Sequence, residues 1–186
     1  MTVSASQPAM APPKRSVVPI GLAAAFWARR LGAGRVAVTV SSTRCAELAL
    51  TLGAYVFIDP SNASPQAVEA ALGGPPDVVY ECVGKPGLIQ RCIEYCRPRG
   101  TVVVLGLCTH PDTIMPFPLV SKELRIQASA FYELRDFEIA ADVLDHDGDA
   151  PRAMVTDVVG LDAMPAAFEA LRRRSTQCKV LVDPFG

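Results

Sequence analysis

A doubly wound parallel sheet with helices on both faces, the α/β class, is the fold this sequence predicts. Short runs of Val, Leu and Ile recur between stretches with helical spacing, and those runs are almost continuously apolar rather than alternating. Strands read that way when both faces are covered, as they are when helices cross between parallel strands. The composition agrees: 50% apolar and 20% charged over 186 residues is enough for one domain with a full core.

The order of elements begins after residue 15. Residues 1–15, MTVSASQPAMAPPKR, carry three prolines and no period, so they predict a disordered or irregular tail, with residues 16–186 forming one domain. From Pro19 to Leu31 the spacing is helical, with Pro near the first turn and Gly32 just past the end. Arg35–Val40 is a β-branched run, hence a strand. In SSTRCAELALTLGA the residues Cys45, Leu48, Ala49 and Leu52 fall at i, i+3, i+4 and i+7, which predicts a helix buried along that stripe and closed by Gly53.

Strand Tyr55–Asp59, helix Pro65–Leu72, strand Asp77–Val83, helix Pro86–Cys96 and strand Thr101–Gly106 continue the alternation. Pro111–Pro118 reads as irregular. Then come strand Leu124–Phe131, helix Leu134–Asp145, strand Met154–Leu161, helix Met164–Arg172 and strand Lys179–Asp183.

Charge and cysteine usage narrow the function classes. Eighteen basic and 19 acidic residues, with no long like-charge block, give no electrostatic footprint for nucleic acid. Cys45, Cys82, Cys92, Cys96, Cys108 and Cys178 include no CxxC pair and predict reduced, mostly buried thiols in a cytoplasmic protein. Lys14-Arg15 followed by an apolar run imitates a signal peptide, but the same residues continue into the strand and helix rhythm. That run is also shorter than the roughly 20 residues a membrane crossing takes.

The stretch SVVPIGLAAAFWARRLGAG, residues 16–34, has the layout of a turn and helix beneath a phosphate. A G-x-G-x-x-G turn supplies a tight bend, a close backbone approach and close helix packing. Here those positions are Ser16, Val18 and Gly21, so only the third glycine is kept. Ahead of it, PPKRSVV puts two prolines and two charges where a central strand would be apolar. The first strand is therefore expected to be degraded or missing.

In register, the motifs PIGLAAAFWARRLGAGRVAVT, LALTLGA, DVVYECVG, RPRGTVVVLGL and LDAMPAAFEALRR with KVLVD resemble the C-terminal, Rossmann-like cofactor-binding domain of the zinc-type alcohol dehydrogenases, within the medium-chain dehydrogenase/reductase family. The resemblance implies an oxidoreductase domain binding NAD(P), with Pro19, Ile20 and Gly21 under the pyrophosphate. It also implies that Ser41, Ser42 and Arg44, after Val40, receive the adenosine ribose. No acidic residue stands at that strand end, so NADP is expected over NAD, and with Ser16 and Val18 in place of glycines it is expected to bind weakly if at all. Cys82, Val83, Gly84, Leu105, Gly106 and Leu107 would pass beside the nicotinamide half. Cys178, next to Lys179, occupies the place where relatives often carry an arginine near the pyrophosphate.

The family also uses a catalytic zinc held by another domain. His110 and His146 are the only histidines here and neither has ligand-spaced neighbours, so no metal ligands and no catalytic residues are expected in this chain. The expectation is a cofactor-binding half with little or no turnover alone. The alternatives are a non-catalytic dimerising module, or a truncated gene product whose catalytic domain lies upstream. By resemblance, a homodimer would form through the sheet edge near Thr113–Pro116.

Overall fold

The computed structural model describes residues 19–40, 43–146, 149–171 and 177–186. The chain alternates as expected: α1 (Pro19–Arg30), β1 (Ala37–Thr39), α2 (Thr43–Thr51), β2 (Val56–Ile58), α3 (Pro65–Leu72), β3 (Val78–Glu81), α4 (Leu88–Tyr95), β4 (Thr101–Val104), α5 (Pro116–Ser121) and β5 (Arg125–Ala128). It continues with α6 (Leu134–His146), α7 (Asp149–Arg152), β6 (Val155–Gly160), a short 3-10 turn, α8 (Met164–Leu171) and β7 (Lys179–Asp183).

Local chemistry sets the helix ends. Ser64 accepts the Ala67 amide at 3.1 Å to start α3, Pro65 takes the first helical position, and Gly73 closes the helix in the left-handed region. At the other end of α4, the Lys122 ammonium donates to the carbonyls of Ile93, Glu94 and Cys96 at 2.8–2.9 Å. A cation there answers both the unpaired carbonyls and the helix dipole. The stretch expected to be irregular contains α5, because Pro116 and Pro118 lie in its first turn, where a missing N–H costs nothing. Helix α7 also goes beyond the expected elements.

All strand pairs are parallel, and the α/β class is as the sequence predicts. Among the described residues the strands form three ladders: β2 with β1, then β3-β4-β5, and separately β6 with β7. The residues expected to form, or fail to form, a first strand lie outside the described residues. The seam between β1 and β3 has a definite chemistry. Thr101 and Leu105 donate to the carbonyls of Asp77 and Glu81, so the alternation turns the backbone groups of Val78 and Tyr80 away from β4. On β1, the bonds of Val36 and Val40 to β2 likewise turn Ala37 and Thr39 away from it. Helix α1 packs against both β1 and β3, bridging that seam.

The core lies in two clusters. Leu22, Cys45, Ala49, Leu52, Ala54 and Cys178 are buried together, with Phe26 and Val38 against them. Cys92, Ile93, Cys96 and Val102 form the second cluster, between α4 and β4. The predicted stripe of α2 is thus the face that is buried. Burying Ile93 and Val102 completely is worth about 1.5–3 kcal/mol each in transfer free energy.

Candidate functional site

Parallel strands present their C-terminal ends to one edge, and three segments meet there: the start of α1 and the turns after β3 and β4. Open α/β sheets bind ligands at this edge, where the strand order reverses. Gly21 lies at the contact between α1 and β3: a methyl built on it would touch the Cys82 Cβ at 3.7 Å. That is ordinary contact distance, so the expected reading of Gly21 as a close-packing glycine is corrected: the approach leaves room for alanine. The first turn of α1 contains no acidic residue, which leaves its positive dipole end unneutralised locally. Pro19 opens the helix, and Ile20 is half exposed beside it.

The two turns are locked together. Gly84 has φ +71°, and a Cβ there would fall 2.6 Å from the backbone of Leu107. A Cβ on Gly106 would run into the Gly84 backbone and the Glu81 carboxylate. Such an approach needs glycine on both sides.

Glu81 lies under both turns and is only 4% exposed. Its Oε1 accepts the amides of Val83 at 2.8 Å and Gly84 at 3.0 Å, with Oε2 reaching Gly84 at 3.2 Å. Its backbone carbonyl accepts the amides of Leu105 and Gly106 at 2.8 and 2.9 Å. A buried carboxylate is tolerated only with such partners.

The charge is felt nearby. Burial, then the negative charge of Glu81, pushes the Cys82 thiol up to about 11 and contributes to holding Cys92 at about 12. Both therefore stay protonated at neutral pH, unsuited to act as nucleophiles or metal ligands.

Of the residues expected from sequence, Pro19, Ile20, Gly21, Cys82, Val83, Gly84, Leu105, Gly106 and Leu107 are thus brought to one edge. Ser41 and Ser42 lie outside the described residues, as do Ser16 and Val18. Arg44 falls within the backbone of α2, whose start places it after the end of β1. Cys178 does not line this edge: it is 3% exposed and packed with Leu22 and Leu52. Its burial agrees with the expectation of buried thiols, and Leu22, in the same cluster, is the residue after Gly21. Glu81 was not among the residues singled out from sequence, although its one signal is visible there: an acid inside the otherwise buried run DVVYECVG.

The family profile described as zinc-binding dehydrogenase matches residues 19–146, more than two thirds of the chain. The chain belongs to that family. Sorbitol dehydrogenase from Homo sapiens is 30% identical over 160 residues, covering 83% of this chain and 44% of that protein. Sorbitol dehydrogenase from Gallus gallus is 31% identical over 159 residues, again 83% of this chain and 44% of the relative. The chain spans about half the length of the curated relatives it matches. Among solved structures, 2R,3R-butanediol dehydrogenase from Bacillus subtilis superposes with TM-score 0.80 at 26% identity, covering 91% of this chain and 49% of that one. A Sinorhizobium meliloti 1021 protein of the zinc-binding dehydrogenase class, bound to NADP, gives 0.78 at 28% identity, covering 90% and 50%.

The family name raises the question of zinc. Among the described residues no three His, Cys, Asp or Glu side chains converge on a point that could hold a metal ion. His146 is engaged with the Asp142 carbonyl at 2.8 Å, and Cys45, Cys92, Cys96 and Cys178 are packed in the core. The described residues do not fit a catalytic zinc site, and no step is routed through one. No helix among them is long and apolar enough to cross a membrane.

Proposed function

We propose that this chain is the nicotinamide dinucleotide-binding half of a zinc-type alcohol dehydrogenase-like oxidoreductase, acting in hydride transfer between the cofactor and an alcohol or carbonyl carbon. The observation that carries the reading is the convergence of the α1 N-terminus with two glycine-locked turns at the C-terminal edge of the parallel strands. Pro19, Ile20 and Gly21 lie where a helix end attracts a pyrophosphate. The turns Cys82–Gly84 and Leu105–Leu107 flank the seam beside it, where the nicotinamide half fits.

The protein of the family solved with NADP supports that cofactor class. Little or no turnover by the chain alone is part of the same reading. We place the protein in the cytoplasm.

NADP is favoured over NAD because Val40 ends the β1 edge without a carboxylate and is followed by Ser41, Ser42, Thr43 and Arg44. Titration by nucleotide fluorescence is expected to show tighter binding of NADPH than NADH. Arg44→Ala narrows the gap by about 1–2 kcal/mol, through loss of a charge-assisted contact to the 2′-phosphate. Equal affinities for the two, unchanged by the substitution, overturn the preference.

A dimer is part of the same reading. Strand β5 pairs with β4 on one side and with no other described strand. Next to it Met115, Phe117 and Val120 are more than 60% exposed. An open apolar edge is a template for pairing, and a two-fold contact near Thr113–Pro116 closes it. Light scattering at micromolar concentration is expected to give twice the chain mass. A clean monomer counts against the interface.

A further inference from the structure

We infer that Glu81 is a positioning residue that holds the turns after β3 and β4 in place and makes the mouth between them unfavourable to phosphate, leaving it to the uncharged end of the ligand. The inference deepens the dinucleotide reading and rests on it for the identity of that ligand.

Four backbone amides, from two different turns, end on this one residue. Val83 and Gly84 donate to its carboxylate, and Leu105 and Gly106 donate to its backbone carbonyl. An amide committed to a buried carboxylate is not available to a ligand. The Val83 and Gly84 amides are therefore turned inward and cannot cradle an anion. The anion beneath the turn adds a repulsive field for any phosphate placed there, whereas the first turn of α1 carries no acid and favours one.

The site is thus divided by chemistry. A pyrophosphate belongs at α1, and the uncharged end of the ligand belongs at the β3–β4 mouth. Glu81 touches neither part of the ligand and acts through the turns that it orders. The thiols respond to the same buried charge: Cys82 and Cys92 are both raised, with Glu81 among the causes.

Side-chain length and charge separate positioning from simple support of the fold. Glu81→Gln keeps an oxygen where Oε1 accepts both turn amides, whereas Glu81→Asp is one methylene too short and Glu81→Ala removes the acceptor. The full chain is titrated with NADPH and with 2′,5′-ADP, which carries the phosphate end and no nicotinamide. Glu81→Ala and Glu81→Asp are expected to weaken NADPH about tenfold or more while moving 2′,5′-ADP less than about twofold, and Glu81→Gln restores most of the loss. Equal weakening of both ligands, or unchanged NADPH affinity in Glu81→Ala, overturns the inference.

Amide hydrogen exchange reads the same device without any ligand. In Glu81→Ala the amides of Val83 and Gly84, which lose their side-chain acceptor, are expected to exchange about tenfold faster or more, with those of Ile93 and Val102 unchanged. If the wild-type chain binds neither nucleotide, the dinucleotide reading fails, and exchange still decides the role of Glu81. Unchanged local exchange, or a uniform increase that includes Ile93 and Val102, overturns it.

Discussion

Gly106→Ala is expected to cost about 3 kcal/mol of folding stability, at the upper end of what overpacking does to a well-packed site, and to abolish nucleotide binding with it. A Cβ at position 106 would be driven into the Gly84 amide and would lie 2.7 Å from the Gly84 Cα. Relief by movement is blocked on both sides. The Gly84 amide is held by the Glu81 carboxylate, the Gly106 amide by the Glu81 carbonyl, and Gly84 is itself pressed against the Leu107 backbone. The clash is therefore with the Gly84 backbone and with a buried Glu81 carboxylate held by two amides, neither of which is free to give way.

Gly21→Ala is the matched control, because among the described residues its methyl would meet only the Cys82 Cβ at 3.7 Å. In α1, where alanine is the better helix former by about 1 kcal/mol, that change is expected to be neutral or stabilising. Denaturant unfolding of the two variants measures the contrast. A Gly106→Ala midpoint equal to wild type would mean that the turns are not interlocked.

The fold was largely legible because its signals are local. Cys45, Leu48, Ala49 and Leu52 share one helical face by spacing alone, and Cys45, Ala49 and Leu52 are all less than 5% exposed. Gly32 and Gly53, read as helix stops, both follow helix ends with positive φ. Pairing between strands is not local, so the division into three ladders was invisible in the pattern. So was α5, since prolines read as irregularity unless their position in a first turn is known.

The site was legible as turns and not as the residue that builds them. Glu81 sits in a run of Val, Tyr and Cys, where periodicity registers only one polar interruption. Its burial and its bonds to the Leu105 and Gly106 amides exist only once β3 and β4 lie side by side. Cys178 was legible as a buried thiol, and it packs in the cluster that includes Leu22, the residue after Gly21.

Replacing Pro12–Arg15 by Val and Leu residues, together with Ser16→Gly and Val18→Gly, is expected to raise both the melting temperature and NADPH affinity. The two glycines alone should do neither. Ala37 and Thr39 on β1 and Val78 and Tyr80 on β3 direct backbone groups away from their paired neighbours. Both directions converge on the seam that α1 bridges. Pro19 opens α1 at the ligand-binding end of that seam, and a strand ending there would run parallel to both edges.

Prolines cannot donate to such a ladder, and Lys14 and Arg15 would carry charge into a position covered on both faces. Glycines placed at 16 and 18 without a strand ahead of them add freedom to the unfolded chain and to the loop alike, which is why they help only in combination. A gain of about 1–2 kcal/mol from a restored strand corresponds to a shift of roughly 2–8 °C in a domain of this size. Melting curves with and without NADPH, for the unmodified chain, the glycine pair and the full replacement, make the comparison. A large cofactor-induced shift already present in the unmodified chain would show that Ser16 and Val18 serve the pyrophosphate as they stand.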